Sequence, residues 1–223
     1  MSEAIIQLDD VCKTYQSPAG AIEGLRHVSL DVQPGEFACV QGHSGSGKST
    51  LLLTIGGMQR PSSGRVSVAN QDIYQLSRRK RSNYRASHVG FVFQLFHLLP
   101  YLNVRENVQL GSHESRMSRE RAQELLVRFG LGERGRQRPT TLSAGERQRV
   151  ALARALMGQP VVILADEPTG NLDRENTDEV LRALSEYCQQ GGTVVLVTHG
   201  EEALPYTDRR IVIDKGTLHE VKS

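Results

Sequence analysis

The stretch Gly42-His43-Ser44-Gly45-Ser46-Gly47-Lys48-Ser49 decides the fold, because it fits the pattern G-x-x-x-x-G-K-[ST]. It follows an apolar run at 37–40 that is typical of a strand and precedes STLLLTIGGM at 49–58, which is typical of a helix start. Glycines let the backbone wrap closely around a phosphate, so that successive N–H groups and the positive helix end face it. Lys48 is then expected to reach the β- and γ-phosphates, and the Ser49 hydroxyl to bind Mg²⁺. The phosphate-binding residues predicted from this stretch are Gly42, Ser44, Gly45, Ser46, Gly47, Lys48, Ser49 and Thr50.

A second apolar run, VVILAD at 161–166, ends in the adjacent carboxylates Asp166 and Glu167. Charges at the mouth of a buried strand need partners, and a Mg²⁺ beside the phosphates supplies one. We expect Asp166 to hold this metal through water. Glu167 then lies where a water in line with the γ-phosphate is polarised, which makes it the candidate general base. The alternative interpretation is that the two acids cap the following turn.

Strands and helices alternate around these two motifs. The first 70 residues or so read as short strands separated by turns, and 88–94 and 193–199 read as further strands. Between 95 and 158, Leu, Arg, Glu and Ala recur at helical spacing, and the run at 211–221 is typical of a hairpin. The pattern predicts an α/β sheet with a helical insertion between its two halves.

The composition indicates a globular protein, with 38% hydrophobic and 23% charged residues. The net charge of +2 is too small to argue for a nucleic-acid partner, and none is expected. Three scattered cysteines without a CxxC pattern fit a reducing cytosol and no cysteine metal site. The start of the chain does not resemble a signal peptide, and no apolar run has the length of a membrane span. One basic cluster, Arg78-Arg79-Lys80-Arg81 with Arg85, reads either as a solvated helix face or as a contact with phosphate or an acidic partner.

Several further short motifs occur along the chain in the order that is typical of one protein family. Leu142-Ser143-Ala144-Gly145-Glu146, followed by RQRVALARAL, closely resembles the signature motif of ABC ATPases. Gln94 at a strand end resembles the Q-loop, Asn171-Leu172-Asp173 the D-loop, and His199 the switch histidine. Tyr15 occupies the place of an aromatic residue that stacks on adenine. The resemblance covers essentially the whole chain.

Taken singly, each of these features has a plainer interpretation. Ser143 and Asp173 read as helix caps, and Gln94 and His199 as polar surface or structural residues. Tyr15 alone reads as a half-buried strand residue. Their joint occurrence around a phosphate loop favours the functional interpretation.

The resemblance implies one domain over 1–223 with a P-loop NTPase (RecA-like) core. The core is assigned to 1–94 and 159–223, with an N-terminal antiparallel β subdomain, and the helical signature subdomain to 95–158. It also implies a head-to-tail homodimer around two Mg-ATP, in which each chain binds its partner's nucleotide in trans. Glu167, His199 and Gln94 are the implied catalytic residues, with Gln94 also close to Mg²⁺. The implied trans contacts are Ser143, Ala144, Gly145, Glu146 and Asp173.

This chain departs from the family's usual LSGGQ at Ala144 and Glu146. The alanine is a mild change. A carboxylate at Glu146 favours the helix dipole, but it repels the γ-phosphate if it points towards it. We expect activity to survive.

Within the family, the chain resembles the MacB/LolD/FtsE-like group through FVFQLFHLLPYLNVRENV at 91–108 and ADEPTGNLD at 165–173. The resemblance implies a FtsX- or MacB-like membrane permease as partner, and a cytoplasmic location on the inner face of the membrane through that permease. The segment 96–102 reads either as core packing or as an apolar groove for a helix of the permease. We predict the groove for Phe96, Leu98 and Tyr101.

Three rival functions stay open. An importer ATPase has nearly the same motifs, and only the permease distinguishes it. A soluble ABC ATPase of DNA repair or translation carries two ATPase units or long insertions, and no coiled-coil or cysteine-rich insertion lies between Lys48 and Asp166. A degenerate ABC protein that binds ATP without turnover is disfavoured because Glu167, His199 and Gln94 are present.

Overall fold

The computed structural model describes residues 3–18, 20–112 and 118–220. These ranges contain ten strands and six α-helices. The strands are β1 Ile6–Ser17, β2 Gly20–Val32, β3 Phe37–Gln41, β4 Ser63–Val68, β5 Gln71–Asp72, β6 Val89–Phe93, β7 Val162–Asp166, β8 Thr193–Thr198, β9 Arg209–Asp214 and β10 Thr217–Glu220. The helices are α1 Lys48–Ile55, α2 Arg78–His88, α3 Val104–Gln109, α4 Ser118–Arg128, α5 Ala144–Leu156 and α6 Arg174–Gln189.

The central sheet has the strand order β10-β9-β3-β8-β7-β6. Strands β9, β3, β8, β7 and β6 are parallel, so their carboxyl ends meet at one edge. The apolar runs of β3, β7 and β8 are buried almost completely, as expected of parallel strands covered on both faces. The predicted hairpin at 211–221 is confirmed as the antiparallel pair β9–β10.

A second, antiparallel sheet has the order β2-β1-β4-β5. Strands β1 and β2 have 12 and 13 residues, longer than the short strands that the sequence predicted. Register shifts interrupt their pairing, and Asp10 and His27 take positive φ at 48° and 46° there. A β-bulge bends and twists a strand without ending it. Strands β1 and β2 therefore stay paired across positions where the sequence pattern had predicted breaks between short strands.

The core lies on both faces of the central sheet, since alternate residues of each strand point to opposite sides. In β3, Phe37 and Cys39 pack with the helical side of the molecule, whereas Ala38 and Val40 pack with α1 and the antiparallel sheet. Helix α1 is therefore covered on most of its surface, and its Leu51, Leu52 and Ile55 are buried. This double cover holds the carboxyl edge of the sheet rigidly in place.

Helices α3, α4 and α5 lie between β6 and β7 in the chain, as the predicted insertion requires. The boundaries at 95 and 158 stay a prediction. The basic cluster lies on α2, where Arg78, Arg79 and Lys80 are exposed. Arg81 instead donates to the Gly57 carbonyl at 3.2 Å, and its guanidinium lies 5.2 Å from the centre of the Tyr74 ring. Of the basic cluster, Arg78, Arg79 and Lys80 therefore fit a solvated face, whereas Arg81 packs against the body of the protein.

Candidate nucleotide-binding site

The glycine-rich loop joins β3 to α1 at the carboxyl edge of the central sheet. Gly45 and Gly47 have φ of 78° and 111°, a region that glycine enters without steric cost. A Cβ on Gly47 would lie 2.4 Å from the Gly24 carbonyl oxygen, so a larger residue has no room. Gly47 is also the N-cap of α1 and makes no side-chain cap hydrogen bond. The first turn of α1 therefore presents its N–H groups without a capping side chain.

The Lys48 ammonium lies across this loop. It donates to the carbonyl oxygens of Gly42 at 2.7 Å and His43 at 3.0 Å. Its nitrogen lies 3.6 Å from Oε1 of Glu167, and its side chain is only 8% exposed. The loop therefore holds this cation at its inner edge, directly beside the acid pair.

The acid pair follows β7 directly, as the sequence predicted. Glu167 has a φ of 46°, a left-handed conformation that is uncommon outside glycine. The Glu167 N–H donates to the Val197 carbonyl at 2.9 Å, which ties the residue to β8. Its Oε1 lies 3.0 Å from Nδ1 of His199, and its Oε2 accepts from the His199 N–H at 3.3 Å. Backbone and side chain are thus both held in one position.

Asp166 and Ser49 are oxygen ligands of the kind that Mg²⁺ takes in phosphate sites. Burial raises the pKa of Asp166, the hydrogen bond from Ser49 opposes this rise, and the Glu167 charge adds to it. Because burial disfavours the charged form of this carboxylate, a cation beside it would stabilise that form. A divalent ion there would lower the pKa of Asp166 again. The residues present therefore fit Mg²⁺.

These side chains line one cleft of about 780 Å³. The predicted residues in its wall are Tyr15, Ser44, Gly45, Gly47, Lys48, Ser49, Thr50, Gln94, Asp166, Glu167 and His199. At the outer end, the Tyr15 hydroxyl lies 3.2 Å from the Thr50 hydroxyl. A Cβ on Gly24 would lie 2.8 Å from the Tyr15 ring, so the absence of a side chain there makes room for the ring.

Two predicted loop residues lie behind the cleft and not in its wall. Gly42 has no room for a side chain, because a Cβ would meet the Ile213 carbonyl at 2.4 Å. Ser46 is buried, and its hydroxyl has no hydrogen-bond partner within the described part of the chain. Its carbonyl accepts from the Gly216 N–H at 2.8 Å, so both residues fix the loop to the β9–β10 hairpin.

The residues predicted to act in trans lie outside the cleft, at the start of α5 and α6. Ser143 is the N-cap of α5, and its hydroxyl accepts from the Glu146 N–H at 3.2 Å. Glu146 accepts in return from the Ser143 N–H at 2.8 Å and pairs with Arg134 at 3.3 Å. The backbone hydrogen bond from Ser143 is the main reason that the pKa of Glu146 is lowered. Asp173 caps α6 and accepts from the Asn176 N–H at 2.9 Å.

Several cleft residues did not figure in the sequence prediction. They are Ile22, Glu23, Gly24, His43, Phe93, Leu95 and His97. His43 lies inside the loop pattern itself, where the pattern leaves any residue open. Ile22 lies in the cleft wall because it pairs with Tyr15 across β1 and β2. Local sequence patterns do not reveal this long-range register. A larger groove of about 960 Å³ lies along α4 and contains none of the predicted site residues.

No group of three or more histidine, cysteine or acidic side chains within the described ranges could form a metal site of its own. A metal beside Asp166 and Ser49 would therefore depend on phosphate and water to complete its set of ligands. Within the same ranges, no helix has both the length and the apolar character that crossing a membrane requires.

The loop, the acid pair and the parallel sheet together define a P-loop nucleotide-binding protein. Residues 25–170 match the family model described as ABC transporter. The chain is 42% identical, over 97% of its length, to macrolide export ATP-binding/permease protein MacB 1 of Yersinia pestis bv. Antiqua (strain Antiqua), and it spans 35% of that protein. It is 43% identical to lipoprotein-releasing system ATP-binding protein LolD 2 of Caulobacter vibrioides, with 98% of both chains covered.

The fold matches a dimeric post-hydrolysis state of the ATP-binding cassette MJ0796 bound to ADP and Pi. The TM-score is 0.89 at 35% identity, with 98% of this chain and 99% of that chain covered. This chain therefore belongs to the ABC transporter family. The predicted α/β fold and the resemblance to MacB and LolD are confirmed.

Proposed function

We propose that this chain binds Mg-ATP, pairs head to tail with a second copy around two nucleotides, and drives a FtsX- or MacB-like membrane permease by hydrolysis. The observation that carries this proposal is the convergence of Lys48, Ser49, Asp166, Glu167 and His199 on one cleft. The predicted trans residues lie outside that cleft, which suits contacts to the nucleotide of a partner. The macrolide-export and lipoprotein-release names of the relatives support a permease of this type.

In the proposed mechanism, Lys48 exchanges its two carbonyl contacts for the β- and γ-phosphates. Ser49 and, through water, Asp166 would hold Mg²⁺, which would neutralise charge on the phosphates. Glu167 accepts the proton of the attacking water. His199 holds the Glu167 carboxylate through the 3.0 Å contact and then faces the γ-phosphate. Gln94, which lies in the same wall, would orient the attacking water.

The trans contact is assigned to the start of α5, where Ser143, Ala144 and Gly145 present a helix N-terminus. Glu146 bonds back to the Ser143 N–H and to Arg134, so its carboxylate is held within its own chain. This geometry supports activity in spite of the departure from LSGGQ. Asp173, at the start of α6, is assigned to the coupling between the two nucleotide sites.

We assign the permease contact to the segment after Gln94. Arg154 donates to the carbonyl oxygens of Phe96 and His97, both at 2.7 Å, which holds the segment in place. Leu98 packs partly against the core, whereas Tyr101 is 68% exposed. Of the three predicted contacts, Tyr101 is therefore the most accessible to a permease helix, and Leu98 contributes to packing as well. Membrane attachment on the cytoplasmic side would follow from this contact.

Two experiments test the proposal. Steady-state phosphate release should be clear in the purified chain and at least 100-fold lower in Glu167→Gln, the loss expected of a general base. Equal rates in both would refute the role of Glu167, and no release in either would favour a binding scaffold. For the permease, Tyr101→Asp should abolish co-purification with the co-expressed permease. Val127→Asp, a matched change at an exposed apolar residue of α4, should not.

A further inference from the structure

The turn that follows Glu167 fixes the direction of its carboxylate. Glu167 enters the turn in the left-handed region at a φ of 46°. The Gly170 N–H donates back to the Glu167 carbonyl at 3.2 Å, and the Leu172 N–H donates to Thr169 at 3.1 Å. Because a displaced turn would redirect the Glu167 side chain, contacts that anchor this turn matter for the site.

One anchor comes from the interior of α5. Gln148 is 0% exposed, and its Nε2 donates to the Pro168 carbonyl at 2.5 Å. Its Oε1 is buried and has no hydrogen-bond partner within the described part of the chain. An unpaired buried amide oxygen is unfavourable for stability, and a leucine of similar volume would avoid it. Stability therefore does not explain a glutamine at this position.

We infer that Gln148 is a positioning residue for Glu167, acting through the Pro168 carbonyl. The inference rests on the proposed role of Glu167 as general base. Gln148 lies one helical turn after Gly145, on the helix whose N-terminus is the proposed trans contact. A shift of α5 on dimerisation would therefore reach the catalytic turn through this hydrogen bond. In this way the start of α5, which makes the proposed trans contact, is connected through Gln148 and Pro168 to the general base Glu167.

A further set of hydrogen bonds joins α5 to α6. Arg149 donates to Asn176 Oδ1 at 3.0 Å, and Asn176 in turn donates to both carboxylate oxygens of Asp173 at 2.9 Å. Gly145 has no room for a side chain because Asn176 lies against it. The start of α5 is thus fixed to the start of α6, and Gln148 extends the connection to Pro168.

The test replaces the amide with an apolar side chain of similar volume. In Gln148→Leu we expect kcat to fall about tenfold, with KM for ATP within twofold of wild type and an equal or higher melting temperature. Thr54→Val is the matched control, since Thr54 Oγ1 is also buried and unpaired but lies at the far end of α1. It should leave kcat unchanged. An unchanged kcat in Gln148→Leu would overturn the inference.

A double-mutant cycle separates a positioning role from a merely structural one. If Gln148 acts through Glu167, adding Gln148→Leu to Glu167→Gln should not lower the residual rate further. A further tenfold loss in that background would overturn the inference. Failure of the proposed function is distinguishable, because Glu167→Gln alone would then keep wild-type turnover.

Discussion

The starts of α1 and α5 are both helix N-termini suited to an anion, yet they are prepared in opposite ways. At α1, Gly47 occupies the N-cap without a side-chain hydrogen bond. At α5, Ser143 and Glu146 satisfy each other in a capping box. One end is therefore open to a phosphate within its own chain, whereas the other is already satisfied and must exchange contacts to accept one.

The starts of α1 and α5 are therefore expected to have different roles. In the proposed function, the α1 end, with Lys48 beside it, would supply affinity for nucleotide in a single chain. The α5 end would add contacts only when a second chain brings a phosphate near, because that phosphate must compete with the intrachain hydrogen bonds. Substitutions at the two ends should therefore separate nucleotide binding from dimerisation.

The largest effect is expected at the α1 end. Lys48→Ala should lower kcat/KM at least 100-fold, because it removes a charged donor to the phosphates that nothing else in the loop replaces. Steady-state phosphate release measures it. Lys80→Ala, at an exposed lysine of α2, is the control and should behave as wild type. Comparable losses in both variants would contradict the assignment.

The α5 end should show a smaller effect of a different kind. Ser143→Ala should lower kcat about tenfold while the ATP affinity of the single chain stays unchanged, since the contact is made in trans. Loss of the N-cap should also cost about 1 kcal/mol of stability.

Asn103→Ala is the matched control for this change. Asn103 and Glu106 form the same capping box at α3, and neither is a predicted trans contact or lines the nucleotide cleft. A similar cost in unfolding free energy, but no change in kcat, is expected there. If Asn103→Ala reduced turnover as much as Ser143→Ala, the loss would reflect capping alone.

At the outer end of the cleft, Tyr15→Ala should weaken ATP binding about fivefold, the loss expected from removing one stacked aromatic ring. Tyr15→Phe keeps the ring and removes only the contact with Thr50, so its dissociation constant should stay within twofold. Titration calorimetry distinguishes the two. Equal weakening in both variants would indicate that the hydroxyl, and not stacking, matters.

The smallest effect concerns the stability of the nucleotide-free chain. Because burial raises the pKa of Asp166 in the folded state, its ionisation at neutral pH opposes folding. Stability from this group is present at low pH and is lost as pH rises through the folded pKa. Asp166→Asn should therefore raise the melting temperature at pH 7 by roughly 2 °C. It should also abolish the extra stabilisation by Mg-ATP, and a lowered melting temperature without nucleotide would contradict this account.

The sequence predicted the α1 end well, because the chemistry there depends on local spacing. The loop from Gly42 to Ser49 and the acid pair after β7 are short patterns with a direct physical reason, and the structure brings them together. The cleft residue Ile22 escaped prediction, because it depends on the register between two long, bulged strands. Gln148 escaped for a related reason. Helical periodicity indicates that a residue is buried, but not which carbonyl of a distant turn it meets.

The central claim, an ATP-dependent head-to-tail pair, is tested most directly by the solution mass of Glu167→Gln with and without Mg-ATP. Without its general base the variant should retain ATP between two chains. The mass should then rise from the 24.7 kDa of a single chain to about twice that value. A variant that binds ATP stoichiometrically and stays at the mass of one chain would contradict the claim.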